Sequence, residues 1–147
     1  MTREMEPRAA SALIPSLSVE MAYLALSVLL LLVHLSVQSF TYKAQVGNRF
    51  TVGPRDDEPE PVAIAGRAAR AFRNYLETFP AFAALVLAIE VTKSHDSYSA
   101  VGAALYFWCR LAYLPAYLAG LVWVRTLIWN ASAIGIVILL WRLVANG

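Results

Sequence analysis

The run AYLALSVLLLLVHLSV, Ala22 to Val37, contains no aspartate, glutamate, lysine or arginine, and its length constrains the fold more than any other feature of the chain. A bilayer core about 30 Å thick takes about 20 apolar residues at a rise of about 1.5 Å each. Four segments approach that length: about 19–41, about 74–92 with Pro80 inside it, about 100–124 and about 126–144. The 147 residues are 59% hydrophobic and only 15% charged, with a mean hydropathy of +0.57, which is too apolar for an ordinary soluble domain. The expected fold is therefore a single integral membrane domain, an all-α bundle of four transmembrane helices in the lipid bilayer.

Charge and cysteine content exclude other classes. A formal net charge of +2, with the arginines set beside apolar segments, implies no nucleic-acid partner. Cys109 is the single cysteine, so there is neither a disulfide framework nor a thiol cluster, and no metal site is expected. A packed thiol is the plainer reading of Cys109. Residues 1–15 mix charges of both signs and do not read as a cleaved signal peptide, so the first apolar helix is expected to act as its own insertion signal.

Between the first two helices lies a polar stretch, about 43–66, whose glycines, prolines and acids read as a loop. The other connections are short: TKSHDSYS, and the neighbourhood of Arg125. Both point to antiparallel hairpins. Lys43, Arg49, Arg55, Arg67, Arg70, Arg73 and Arg125 fall on one side of the bundle, against Arg3, Arg8, Lys93 and Arg142 on the other. The excess predicts a cytoplasmic long loop and both termini on the opposite side.

Two polar stripes run into the apolar segments. On the second helix Arg70, Asn74 and Glu77 share a face at 100° per residue, with Arg73 beside it, and that face continues into Ala81, Ala84 and Ala88. Small residues at this spacing predict burial against protein rather than lipid. On the third helix Tyr106, Arg110, Tyr113 and Tyr117 form a polar-aromatic face flanked by Gly102 and Gly120. A charge inside a bilayer costs at least about 2.5 kcal/mol, so Arg110 needs a partner, and Glu77 is the expected one. Such an ion pair would serve packing as readily as ligand binding.

Other features take plainer readings. His34 is expected to donate a hydrogen bond across helices, and Glu20, Glu90, Lys93 and His95 to be interfacial. Trp123, Trp129 and Trp141 read as headgroup anchors. Pro80 and Pro115 free the carbonyls of Leu76 and Leu111 and are expected to kink their helices.

Arg67, Arg70, Arg73, Asn74, Glu77 and Pro80 in RAARAFRNYLETFP, followed by RLAYLPAYLAGLVWVRT from Arg110 to Thr126, resemble the MAPEG family, membrane-associated proteins in eicosanoid and glutathione metabolism. The resemblance implies a homotrimer of four-helix protomers, with glutathione as co-substrate bound between subunits near the cytoplasmic face. It implies glutathione contacts at Arg73, Asn74, Glu77, Tyr113 and Tyr117, with support from Arg70 and Arg110. The arginine that several family enzymes carry at the end of the first helix has no counterpart; Gln38 is the nearest polar residue. Arg125, with Thr126 beside it, is the implied stabiliser of a glutathione thiolate. Two carboxylates, an ammonium and a thiol call for such a mixture of arginines, one acid and hydroxyls.

The activity implied is a glutathione-dependent transferase or peroxidase acting on a lipophilic small molecule. Two rivals stand beside it. One is a non-catalytic member of the same fold, a lipid-binding or interaction module, since fold does not fix function. The other is a small transporter with Glu77 as proton carrier, against which the neighbouring arginines argue.

Overall fold

The computed structural model describes residues 17–145; Arg3, Arg8 and the segment weighed as a signal peptide lie outside them. Among the described residues five helices follow one another: α1 (Val19–Val46), a single-turn α2 (Asn48–Thr51), α3 (Ala63–Thr92), α4 (Ser97–Leu118) and α5 (Val122–Ala145). There is no strand among the described residues. Ser18 starts α1 by accepting a hydrogen bond from the Met21 amide at 3.2 Å, and Gly47, at φ 83°, ends it. A reciprocal capping box of Asp96 and Ser99 opens α4. Both helix-internal prolines are accommodated without ending α3 or α4.

Two boundaries differ from the sequence expectation. The second long helix begins at Ala63, not near Asn74, so the arginine-rich stretch is itself helical. Alanine and arginine are strong helix formers, and the helix continues out of the apolar zone on their propensity. The break between the last two helices falls at residues 119–121, not at Arg125. Gly120, at φ +77°, makes that turn, so Arg125 sits within the first turns of α5. The loop is correspondingly shorter. It is held to α1 by Tyr42, whose hydroxyl donates to the Pro59 carbonyl at 2.9 Å, and by Gln45, which donates to the Glu60 carbonyl at 2.9 Å and accepts from the Val62 amide at 3.0 Å.

The helices α1, α3 and α5 are each long and apolar enough to cross a membrane. α4 is of comparable length but carries Arg110 and four tyrosines. It packs against all three, pairing most extensively with α5, while the backbones of α1 and α5 do not approach each other closely. The α4–α5 contact is close because Gly102 and Gly135 face one another at the crossing. A Cβ at Gly135 would lie 2.7 Å from the Gly102 carbonyl oxygen. Gly120 is constrained twice, by its positive φ and by the Arg67 guanidinium 3.0 Å from where a Cβ would stand. Gly120→Ala is therefore expected to destabilise the fold by about 1–2 kcal/mol, read as a lower thermal unfolding temperature in detergent.

The buried face of α3 is Ala68, Ala71, Tyr75, Phe82, Val86 and Ile89. Phe82 stacks on Tyr106 at 4.0 Å between ring centres, within a cluster that also takes in Leu24, Ala103 and Leu139. Within the protomer Arg70, Arg73, Glu77, Ala81 and Ala84 are exposed, and Asn74 and Ala88 half-buried, so the helices of its own chain do not supply the protein contact expected for the alanine stripe. The aromatic face fills the space between α1, α4 and α5, leaving the small-residue face outward. His34 is also corrected. It is buried and stacked on Tyr75 at 4.6 Å, with no hydrogen-bond partner for either ring nitrogen among the described residues. Tyr75 makes the cross-helix bond instead, donating to the Ser27 carbonyl at 2.7 Å.

Candidate functional site

Arg110 anchors the polar end of the bundle. It is fully buried on α4, with its guanidinium carbon 5.6 Å from the ring centre of Tyr106 and 5.3 Å from that of Tyr113. The aromatic faces offer it partial negative charge within the protein interior. Its Nη1 donates to the Asn74 Oδ1 at 2.7 Å, and Asn74 Nδ2 in turn faces the Glu77 carboxylate at 3.5 Å. The expected Glu77–Arg110 ion pair is thus absent, and the amide of Asn74 stands between the two charges. Glu77 points outward because its face of α3 is the exposed one, leaving its carboxylate open to a ligand or a second chain.

From Asn74 the site extends across to α4 and α5. Asn74, Tyr113, Arg125, Thr126 and Trp129 line one small cavity of about 150 Å³. Tyr113 lies 5.4 Å from Tyr117, and Arg125 lies over the Tyr117 ring at 4.5 Å. This cation–π contact holds the guanidinium at the cavity without consuming its donors in an ion pair. Placement of Arg125 follows from the turn at Gly120, which starts α5 early enough to give that side chain a helical position. The Thr126 hydroxyl donates to the Val122 carbonyl at 2.9 Å, so it faces the cavity as an acceptor until it rotates.

Arg73 and Gln38 are elsewhere. They line a separate cleft of about 260 Å³ with Ala69, Phe72 and Leu76, between α1 and α3. Arg73 and Asn74 are adjacent in sequence and differ by 100° around α3, which is enough to send them to different grooves. Arg70 is exposed and makes no ion pair among the described residues.

Trp129 is the residue that sequence reasoning missed, having been read as a headgroup anchor. Its indole N–H is buried without a hydrogen-bond acceptor among the described residues, and a buried unpaired donor costs about 1–3 kcal/mol. The spacing carried the signal: Trp129 stands four residues after Arg125 and three after Thr126, on the same helix face.

Around this cavity stand the Arg125 guanidinium, which makes no ion pair among the described residues, the Asn74 amide, the Tyr113 phenol and the Trp129 ring, with an acid one step away through Asn74. That is a donor-rich pocket suited to an anion or a polarisable thiolate. No curated protein and no solved structure matches the chain. The MAPEG family model matches residues 21–145, which takes in all but the first two residues of the four long helices. The chain belongs to the MAPEG family and, with three helices of membrane-spanning length and apolarity, is an integral membrane protein.

Proposed function

We propose that the protein is a membrane-bound, glutathione-dependent transferase or peroxidase in which Arg125 stabilises the glutathione thiolate against a lipophilic electrophile or hydroperoxide. The observation that carries the proposal is the shared cavity of Asn74, Tyr113, Arg125, Thr126 and Trp129. A free thiol near pKa 8.5 is mostly protonated at neutral pH, and an adjacent guanidinium favours the reactive anion. In conjugation the thiolate sulfur forms a bond to the electrophilic carbon as the leaving group departs with its electron pair. In the peroxidase reaction two glutathione thiols are oxidised to the disulfide, and the hydroperoxide is reduced to an alcohol and water.

The division of polar residues between two grooves supports a homotrimeric reading. Arg73 and Gln38 lie on one side of α3, the Arg125 cavity on the other. A cavity of about 150 Å³ is below the usual range of about 300–1,000 Å³ for a small-molecule site. Two protomers docked through the exposed Glu77–Ala81–Ala84 face would bring the groove of one against the cavity of the other. All four long helices would then span the bilayer, with the long basic loop on the cytoplasmic side, the termini opposite, and α4 shielded by its neighbours.

Gln38, where several family enzymes have an arginine, favours one second reading: a non-catalytic member of the fold. Titration calorimetry of the detergent-solubilised protein with glutathione, paired with turnover of a general aromatic electrophile, separates the two. Binding with turnover is the expected result. Binding without turnover favours the non-catalytic reading, and no heat at millimolar glutathione overturns the glutathione site altogether.

A further inference from the structure

The end of the bundle away from the candidate site holds a second polar cluster. Glu20, in the first turn of α1, is 2% exposed, an unusual burial for a carboxylate. The hydroxyl of Ser99, at the start of α4, donates to one of its oxygens. Glu90, near the end of α3, accepts from the Ser18 hydroxyl at 2.7 Å. Between these two acids sits His95, in the four-residue connection from α3 to α4. Its Nδ1 lies 3.6 Å from Glu20 Oε2 and its Nε2 lies 3.6 Å from Glu90 Oε2. Among the described residues the remaining charged groups at this end are Asp96, paired with Arg142 of α5, and the exposed Lys93.

We propose that His95 is a pH-sensitive clasp that ties the α3–α4 connection to α1 and α3 when its imidazole is protonated and releases one of the two ties when it is neutral. The chemistry follows from the two contacts. An imidazolium has an N–H on both nitrogens and can donate to both carboxylates, whereas a neutral imidazole donates from one and turns a lone pair toward the other acid. Among the described residues His95 is the one cationic group within ion-pair distance of either Glu20 or Glu90. The clasp is therefore closed while the imidazole is protonated and loosens when it is neutral, and pH 5.5 and 8.0 bracket the range in which histidine side chains in general change charge.

Asp96 supplies the fixed part of the junction. Its carboxylate accepts from the Ser99 amide at 2.9 Å, and that bond, followed by the Arg142 contact, holds its pKa below the usual carboxylate value. It therefore stays ionised through the range in which the imidazole changes. The clasp is independent of any ligand at the Arg125 cavity.

The test is hydrogen exchange at the amides of residues 94–99, corrected for intrinsic rates, with thermal unfolding of the full chain in detergent at pH 5.5 and 8.0. Wild type is expected to lose about tenfold protection at the connection and about 3 °C of unfolding temperature on going to pH 8.0. His95→Gln is expected to be weakly protected and flat across the range. His95→Lys, which keeps a cation at both pH values, is expected to be flat and better protected than His95→Gln. Glu20, Glu90, Asp96 and Arg142 are present in all three proteins. A pH dependence that survives unchanged in His95→Gln, or a flat wild-type profile, overturns the clasp.

Discussion

Replacing Arg125 with alanine is expected to lower glutathione-dependent turnover by about 10²-fold while weakening glutathione binding by less than about tenfold. The asymmetry follows from where the guanidinium stands. It lies over the Tyr117 ring at 4.5 Å and lines the cavity with Asn74 and Tyr113. Two unit charges about 4 Å apart interact by about 4 kcal/mol at an effective dielectric of about 20. Arg125 is only half-buried, so solvent screening reduces that figure, and about 10²-fold in thiolate-dependent rate is the corresponding expectation. In the proposed site the carboxylates and ammonium of glutathione would engage other residues, so affinity is expected to depend less on this one side chain. Arg125→Lys keeps the charge but loses the planar stacking on Tyr117, and is expected to fall between wild type and alanine. The measurement is kcat and KM for a general electrophile together with the calorimetric Kd for glutathione. Equal losses in binding and turnover would make Arg125 a positioning residue and remove it from thiolate stabilisation.

Gly135→Leu is expected to be the most disruptive single substitution for the fold. A Cβ at that position would lie 2.7 Å from the Gly102 carbonyl oxygen and 2.9 Å from the Tyr106 amide nitrogen. Both are backbone atoms of α4 and cannot rotate away. The two helices must separate, which disturbs the most extensive helix pairing in the protomer. Overpacking of this kind typically costs about 1–3 kcal/mol, and a close backbone crossing belongs at or above the upper end. Separation at the crossing also shifts Tyr106, which stacks on Phe82 and faces Arg110. A fall in unfolding temperature of at least about 5 °C, with Gly135→Ala intermediate, is the expected outcome. Wild-type unfolding temperature in Gly135→Leu would show that the α4–α5 contact is looser than its geometry.

Membrane helices were legible because the bilayer imposes one length and one polarity on any segment that crosses it. The same test misplaced two boundaries for a physical reason. Hydropathy reports where the chain is apolar, whereas helix propensity and turn chemistry decide where it is helical. AIAGRAARAFRN is polar at its arginines yet helical throughout, and the apolar surroundings of Gly120 concealed a turn.

Periodicity also grouped residues onto helix faces without showing which faces meet. Helical spacing put Tyr106, Arg110, Tyr113 and Tyr117 on one side of α4, and all four are buried there. On α3 the same reasoning favoured the alanine side as the packed one, whereas Tyr75, Phe82 and Val86 fill the protomer interior. In lipid an apolar side chain gains little from exchanging a hydrocarbon neighbour for a protein one, so hydrophobicity does not mark the buried face as it does in water. Shape and hydrogen bonding decide instead.

By itself, the sequence determined that this is a membrane-embedded helical protein and which side chains share a helix face, because both depend only on chain-local polarity and the 3.6-residue period. Tertiary structure alone decided that Asn74 stands between Arg110 and Glu77, that Trp129 joins Arg125 at the cavity, and that His95 bridges two acids at the other end. Those juxtapositions depend on the rotation of each helix about its own axis, and that angle is fixed by how neighbouring side chains interlock rather than by any one segment.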